Sequence, residues 1–252
     1  MPYTLKSTGL ATSLVICVGI DSDGTTIKDF VSNRTLSYVS GHTPTVSSAT
    51  WKGTSRGYFT TSGDGSFTPY GITFTAPTIN YGGSGLAAFI AFSGASAATG
   101  STGYDYAIGD SSNSFGLSRT SLSGPLSWCF SGNPQPGTGA TSLPTNGTTK
   151  FSIGSSFLAG GTITIYYGLE SGSLASDGSG TDINVPSNWL PNNIGGDAGL
   201  GAQPGNYHIA CAFNRVLTLA EMQSLHGDGT NDWFSTLFNS GAADTLMGQA
   251  SL

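Results

Sequence analysis

Carboxylates are the side chains of this sequence most able to act as acid, base or nucleophile, and only two of the residues that carry them are glutamates, Glu170 and Glu221. Retaining glycoside hydrolysis requires two carboxyl groups about 5–5.5 Å apart. Glu221 follows Thr218 at the spacing of a helix capping box, which gives its carboxylate a structural role. No aspartate stands at a recognisable hydrolase spacing from Glu170. The sequence therefore predicts that the chain is not an enzyme.

Nucleophilic catalysis is equally poorly supported by the three histidines. His42, His208 and His226 fall in a predicted loop, on a predicted strand and at a predicted helix end. No Gly-x-Ser-x-Gly turn precedes a helix, so no serine is placed as a nucleophile. We interpret His226 as a cation that favours the C-terminal end of its helix.

Two acidic turns contain part of a calcium loop. Asp21-Ser-Asp23-Gly24 has the opening of such a loop but lacks its later ligands, and 228–232 is similarly incomplete. Oxygen-rich segments of this kind are usually turns. We expect no cofactor or metal, with calcium kept as the alternative.

Sugar binding needs an exposed aromatic ring with amides or carboxylates beside it. Two clusters fit that description, Trp189 with Asn192 and Asn193, and Tyr104 with Asp105. We predict these five residues as ligand-binding candidates, and structural packing is the alternative for each.

The charge pattern excludes several classes of partner. Charged residues make up 9% of the chain, against roughly 25% in an ordinary globular domain. The net charge is −6 and the eight cations are scattered, so no basic stripe could neutralise a row of phosphates. No apolar run approaches the roughly 20 residues of a membrane span. We expect neither nucleic acid nor membrane as a partner.

The three cysteines lie in separate apolar runs without metal-site or redox-pair spacing. Buried free thiols are the simplest interpretation of Cys17, Cys129 and Cys211. One disulfide with an odd thiol is the alternative. Three free thiols would fit a protein that folds and assembles in a reducing cytosol. We also expect no signal peptide before the first strand.

The elements that would position these residues are short strands rich in β-branched and aromatic side chains, separated by Gly, Ser, Asn and Pro clusters. A helix is predicted from the capping box at Thr218 to Gly227. A tail begins at about 228 and contains an amphipathic turn from Trp233. This tail is expected either to pack on the sandwich or to dock into a neighbouring subunit. The pattern predicts one all-β domain over 1–252, a two-sheet antiparallel jelly-roll sandwich with one short helix near the C-terminus. Strands are predicted near 13–19, 34–39, 57–60, 71–75, 86–92, 104–109, 114–119, 126–130, 149–153, 162–169, 192–195 and 206–213.

Three segments resemble laminin-G-like domains of the concanavalin A-like lectin/glucanase superfamily. Segment 213–225 reads Phe-Asn-Arg-Val-Leu-Thr-Leu-Ala-Glu-Met-Gln-Ser-Leu and is similar to the closing strand and helix of that family. Asn193-Ile-Gly-Gly196 is similar to its hydrophobic-Gly-Gly strand, and 23–29 to its first turn. The resemblance covers both ends of the chain in the right order, and it implies an antiparallel jelly roll of two curved sheets.

The chain also departs from that superfamily. Its glucanases use the motif Glu-x-Asp-x-x-Glu, which this sequence lacks, and the usual Trp of the first strand is replaced by the run Ile16-Cys17-Val18. The resemblance therefore implies a lectin-like sandwich without the glucanase motif.

Three functions remain open at the level of sequence. The first is a non-enzymatic, lectin-like virion surface protein of a bacteriophage, namely a capsid decoration, fibre or tail component that is made in the host cytoplasm without a signal peptide. Its expected partners are other virion proteins, while binding to surface glycans and an oligomeric state are left open. The second is a cellular carbohydrate-binding or adhesion module. The third is a divergent glycoside hydrolase, which the acid count disfavours.

Overall fold

The computed structural model describes residues 2–37, 45–63, 69–80, 84–95, 105–110, 115–119, 124–130, 133–134, 138–158, 161–181, 188–196, 204–229 and 232–239. Strands dominate these residues, with one 3₁₀ helix at Gly9–Ser13 and two α-helices, α1 (Leu219–His226) and α2 (Trp233–Leu237). The strands are β1 (Leu14–Ile20), β2 (Ile27–Asp29), β3 (Arg34–Thr35), β4 (Thr45–Trp51), β5 (Thr54–Gly63), β6 (Pro69–Tyr70), β7 (Ile72–Thr73), β8 (Ile79–Asn80), β9 (Leu86–Ala95), β10 (Asp105–Asp110), β11 (Phe115–Arg119), β12 (Leu126–Phe130), β13 (Asn133–Pro134), β14 (Phe151–Phe157), β15 (Thr162–Leu169), β16 (Ala175–Thr181), β17 (Asn188–Trp189), β18 (Asn193–Ile194) and β19 (Gly205–Phe213).

The strands form a two-sheet sandwich. The larger sheet runs β16-β15-β14-β9-β19-β1-β2-β3, and the β4–β5 hairpin joins it through β5, which pairs with β19. The second sheet runs β13-β12-β11-β10-β18-β7, and β17 pairs with β8 outside both. Each described strand pairing is antiparallel, as the pairing of β9 with both β14 and β19 illustrates. The predicted all-β antiparallel sandwich is confirmed.

Strand β9 is buried on both faces because the larger sheet lies between two hydrophobic cores. Successive side chains of a strand point to opposite faces. Ala88, Ile90 and Phe92 contribute to the core between the sheets, together with Trp128 of the second sheet. Their neighbours Ala87, Phe89 and Ala91 belong to a second core on the outer face. The molecule therefore has three layers, where the sequence predicted two.

The third layer consists of helices and the N-terminal arm. Helix α1 is capped at its start by Thr218, whose side chain accepts a hydrogen bond from the Glu221 amide, while the Glu221 side chain accepts one from the Thr218 amide. Gly227, with φ of 95°, caps its end. This confirms the predicted capping box and helix end. In α2 and its end, Trp233, Phe234 and Leu237 are buried in the outer core. Up to residue 239 the tail therefore packs on its own sandwich, and residues 240–252 lie outside the described part.

The ends of the described chain are tied to each other. Leu5 and Phe238 form an isolated β-bridge. The amide of Lys6 donates to Leu237 O at 2.8 Å, and the amide of Asn239 donates to Thr4 O at 2.9 Å. The N-terminal arm is thus held beside α2, on the outer face of the larger sheet.

Candidate functional site

The predicted sugar-binding cluster around Trp189 is not an exposed aromatic surface. Trp189 has 0% exposure and packs edge-on against Trp128 in the inter-sheet core, with ring centroids 5.1 Å apart. Asn193 is also buried, and its Oδ1 accepts a bond from the amide of Gly196 at 3.3 Å. The expectation of an exposed ring at Trp189 is therefore wrong, because Trp189 fills the inter-sheet core.

The structure gives little evidence on the other predicted ligand-binding residues. Asn192 is half-buried, and its backbone amide donates to Gly109 O at 3.1 Å. Asp105 opens strand β10, but its side chain lies outside the described part of the structure, as does the whole of Tyr104. The ligand-binding role predicted for this second cluster stays a prediction.

A different site lies on the outer face of the larger sheet, between that sheet, the N-terminal arm and α2. It has two parts that share Tyr3, Ile20 and Gly57 as lining residues, and we call them the His208 pocket and the Tyr3 groove. The His208 pocket has a cavity volume of about 30 Å³ and is lined by Tyr3, Gly19, Ile20, Phe30, Ser55, Arg56, Gly57, His208, Ile209, Trp233, Phe234 and Phe238. The Tyr3 groove has a volume of about 230 Å³ and is lined by Tyr3, Ile20, Asp21, Gly24, Ser47, Ser48 and Gly57.

A β-bulge directs His208 towards the pocket. The register of β19 against β9 shifts between Tyr207, which pairs with Phe92, and Ile209, which pairs with Ala91. Such a bulge adds a residue to one strand and re-aims its side chains. As a result His208 contacts Trp51 of the outer core, with ring centroids 5.6 Å apart, and does not share the face of Ala210 and Ala212.

The two ring nitrogens of His208 have different environments. Nδ1 lies 2.9 Å from Gly57 O, and a carbonyl can only accept, so Nδ1 carries the proton. Nε2 is buried and has no hydrogen-bond partner among the described residues. Burial is the main cause that lowers the pKa of His208 to about 4, and the charges of Lys150 and Arg56 act in the same direction. At neutral pH Nε2 is therefore an acceptor that lacks a donor.

The far wall of the pocket is held by an ion pair. Arg56 donates from Nε to Asp232 Oδ2 at 2.8 Å and from Nη2 to Asp232 Oδ1 at 3.2 Å. Asp232 also accepts from the amide of Ser235 at 3.1 Å, which caps α2. The Arg56 guanidinium lies 4.4 Å from the ring centroid of Phe234, a cation–π distance. Arg56 thus fastens α2 to strand β5 across the pocket.

The Tyr3 groove combines an aromatic ring with a fixed carboxylate. The Tyr3 ring meets Phe234 edge-on, with ring centroids 4.6 Å apart. Asp21 accepts from the amides of Tyr3 at 3.0 Å and Ser22 at 2.7 Å, and Lys28 Nζ lies 3.2 Å from its Oδ2. Partial burial opposes ionisation of Asp21, but these donors outweigh it and lower its pKa. The groove therefore presents an ionised acceptor beside the exposed hydroxyls of Ser47 and Ser48.

Both glutamates have structural partners. Glu221 accepts from Arg215 at 2.7 Å and from the amide of Thr218 at 2.9 Å. The Arg215 bond is the main cause that lowers the pKa of Glu221 to about 2. Glu170 accepts from the backbone amide of Lys52 at 2.5 Å.

The acidic turns bond within the chain as well. Asp23 accepts from the amides of Thr25 and Thr26 at 2.9 and 2.8 Å, and Asp228 accepts from the amide of Leu174 at 3.0 Å. Within the described ranges, no group of three or more His, Cys, Asp or Glu side chains could hold a metal ion.

The buried thiols and His226 complete the outer core. Cys17 and Cys211 are free and buried, with sulfur atoms 3.5 Å apart, and burial raises the pKa of Cys17 well above its ordinary value. The prediction of buried free thiols is confirmed for these two, and the side chain of Cys129 lies outside the described part. His226 is buried, which lowers its pKa, so its interpretation as a helix-end cation is wrong.

The sequence contained only part of the signal for this site. Asp21 was considered only as a calcium ligand and His208 only as a strand residue, while Tyr3 belongs to no sequence pattern. Their proximity depends on the N-terminal arm and α2 meeting on one sheet face.

Among the described helices, none is long and apolar enough to cross a membrane.

No model of a protein family matches this sequence, and no curated protein matches it. Solved structures share its fold. The binding domain of Paraclostridial Mosquitocidal Protein 1 is 15% identical over 87% of this chain and 53% of its own, with a TM-score of 0.53. Trypanosoma rangeli sialidase in complex with sialic acid is 12% identical over 87% of this chain and 34% of its own, with a TM-score of 0.52.

A third structure matches along its whole length. Domain 4 of AbnA, a GH43 extracellular arabinanase from Geobacillus stearothermophilus, solved in complex with arabinotriose, is 14% identical over 90% of this chain and 100% of its own, with a TM-score of 0.51. This chain thus spans about half of the toxin domain and a third of the sialidase. These similarities show a β-sandwich fold, and membership of the laminin-G-like family stays a prediction.

Proposed function

We propose that this chain is a carbohydrate-binding module and that a glycan lies in the Tyr3 groove. The observation that carries the proposal is the open groove of about 230 Å³ that Tyr3 and Asp21 line together. Domain 4 of AbnA, which has the same fold, was solved with a bound oligosaccharide, arabinotriose.

The lining of the groove suits the two surfaces of a sugar. The C–H faces of a sugar ring are apolar and pack against aromatic rings, while its hydroxyls donate to fixed acceptors. Asp21 is held by two backbone amides, so it needs little rearrangement to accept a hydroxyl. Bonds to an ionised acceptor are roughly twice as strong as neutral ones.

We propose a binding role without catalysis. Glu221 is engaged by Arg215 and the helix cap, and Glu170 by the Lys52 amide. The test is hydrolysis of β-glucans, arabinan and sialosides at high protein concentration. Turnover that disappears in Glu170→Gln would revive the hydrolase hypothesis.

A glycan array tests the proposed site directly. We expect at least one glycan class to bind, and Tyr3→Ala or Asp21→Asn to weaken that binding roughly tenfold, the value of one lost hydrogen bond or stacking contact. Tyr167→Ala is the matched control, because Tyr167 is also half-buried but lies on β15, where it packs against Phe151. Absence of binding to every glycan, or equal loss in the control, would overturn the proposal.

We further propose, as the setting of this module, the surface of a bacteriophage virion. The support comes from the sequence alone, namely its low charged fraction of 9% and its lectin-like motifs. Mass spectrometry and electron microscopy of purified particles test it, and a chain found only as a cellular protein away from particles would favour the cellular adhesion module.

A further inference from the structure

We infer that Cys17 and Cys211 form a redox-dependent disulfide site that can link the strands β1 and β19 covalently. The inference is independent of glycan binding and concerns a modification of the chain itself. Both thiols are free and buried, with their sulfur atoms 3.5 Å apart. A disulfide bond is about 2.05 Å long, so the two sulfurs need to approach by only about 1.5 Å to form one.

The strand register places the two cysteines directly opposite each other. Strands β1 and β19 are antiparallel neighbours in which Cys17 pairs with Cys211. The amide of Cys17 donates to Asp29 Oδ1 at 3.1 Å, and its carbonyl accepts from the amide of Phe30 at 2.8 Å. Both backbone groups of Cys17 are therefore engaged on the side away from β19, which makes this a non-hydrogen-bonded pair. The Cα atoms of such a pair are about 4.5 Å apart, within the range of about 4.4–6.8 Å that disulfides require.

The surroundings of the pair determine when the bond can form. Both side chains have 0% exposure and belong to the outer core. Burial is the main cause that raises the pKa of Cys17 well above its ordinary value, and the bond from the Cys211 thiol acts in the same direction. Since the thiolate is the reactive form of cysteine, the closed native protein should resist oxidation. The disulfide is therefore expected to form while the chain folds or when this part of it opens.

The reaction is a thiol–disulfide exchange with a small disulfide such as oxidised glutathione. The thiolate of one cysteine attacks the oxidant, which gives a mixed disulfide and releases one glutathione thiolate. The thiolate of the second cysteine then attacks the mixed disulfide, which forms the bond between Cys17 and Cys211 and releases the second glutathione thiolate. The two protons lost by the cysteines are taken up by these leaving thiolates. Two protein thiols are thus oxidised to one disulfide, and one small disulfide is reduced to two thiols.

The link would join the first and last described strands of the larger sheet. The two cysteines are 194 positions apart in the sequence. A disulfide stabilises mainly by restricting the unfolded chain, and more so when it closes a longer loop. Two positions away along the strands, Gly19 and Ile209 pair with each other and line the His208 pocket. The bond would therefore hold in register the two strands that form this part of the pocket.

The test oxidises the full chain while it refolds. The reduced protein is unfolded in urea and diluted into a buffer that contains oxidised and reduced glutathione, so that burial does not block the reaction. The remaining thiols are alkylated and counted by intact mass, and peptide mapping identifies the linked cysteines. We expect one free thiol, Cys129, and one peptide pair that joins Cys17 to Cys211. Three free thiols, a stable mixed disulfide with glutathione at either cysteine, or a link that involves Cys129 would overturn the inference.

Thermal unfolding measures whether the bond fits the native sheet. We expect the Tm of the oxidised protein to lie about 5–10 °C above that of the same protein reduced with dithiothreitol. In Cys17→Ala the two conditions should give the same Tm, whereas the matched control Cys129→Ala should keep the difference. A Tm that is unchanged or lower after oxidation of the wild-type chain would show that the bond does not fit the native register, and the inference would then be wrong.

Discussion

His208 should make the stability of the protein depend on pH. Its folded pKa is about 4, chiefly because of burial, while the unfolded value is about 6.5. Below about pH 6.5 the unfolded chain gains a proton that the folded chain does not. The stabilisation is therefore complete above pH 6.5 and is lost between pH 6.5 and 4, with a size on the order of 3 kcal/mol. Urea unfolding at pH 7.5 and 4.5 measures the difference.

The matched control for this prediction is His208→Phe. The charged and titratable groups that face His208 are Arg56 and Tyr58 of β5, Asp232 before α2, and Lys150. All four remain in the variant. The variant also loses the bond from Nδ1 to Gly57 O, which changes stability at every pH, so the change in the slope against pH reports the titration of the ring. Since the pKa of His226 is also lowered, the variant should keep a shallower pH dependence. Equal slopes for the two proteins would show that His208 does not titrate in this range.

At the scale of single residues, the sequence predicted the chemical state of side chains better than it predicted their burial and orientation. It identified buried thiols at Cys17 and Cys211 because cysteine in an apolar strand is usually buried. It left Trp189 open between an exposed ring and structural packing, because burial depends on which strands cover the ring, and here Trp189 lies in the inter-sheet core. The orientation of His208 follows from a bulge whose position is set by pairing with β9, and no local pattern in β19 reveals that.

At the scale of elements, the cap of α1 is a testable source of stability. Thr218 accepts from the Glu221 amide at 3.3 Å, and Glu221 accepts from the Thr218 amide at 2.9 Å. We expect Thr218→Ala to lower the free energy of unfolding by about 1 kcal/mol, the usual cost of losing such a cap. Ser224→Ala is the control, because its hydroxyl bonds only within the helix, to Ala220 O. If both substitutions have the same effect on urea unfolding, the cap is not the cause.

The elements that the sequence predicted well are those with strong apolar alternation. Strands β12 and β15 have the predicted bounds, and β19 begins one residue earlier than predicted. Strand β16 was missed because Ala-Ser-Asp-Gly-Ser-Gly-Thr has no apolar face, so that no strand was predicted between 169 and 192. Strand β4 was missed for the same reason, since Trp51 is its only buried residue. Pairing with β15 and β5, respectively, holds these two strands in place.

At the scale of the whole molecule, the third layer explains why the site lies where it does. The chain ends meet on the outer face of the larger sheet, through the bridge between Leu5 and Phe238. The indole of Trp51 donates to His226 O at 3.3 Å and so links β4 to the end of α1. A bare sandwich would offer a flat sheet face, whereas this layer creates walls around His208. The sequence could predict α1 and the turn at Trp233, but not that they would cover one face with the N-terminal arm.

The Arg56–Asp232 pair should fasten this layer to the sheet. Its side chains are only 11% and 7% exposed, so Arg56→Met leaves a buried carboxylate unpaired and should cost about 3 kcal/mol of unfolding free energy. Adding Asp232→Asn removes that charge, keeps a capping side chain for α2 and should restore part of the loss. Arg215→Met is the control, because its pair with Glu221 is 36% and 29% exposed and should contribute less than about 1 kcal/mol. Hydrogen exchange should rise at the α2 amides in Arg56→Met alone, and equal effects of the two arginine substitutions would show that the pair does not anchor this layer.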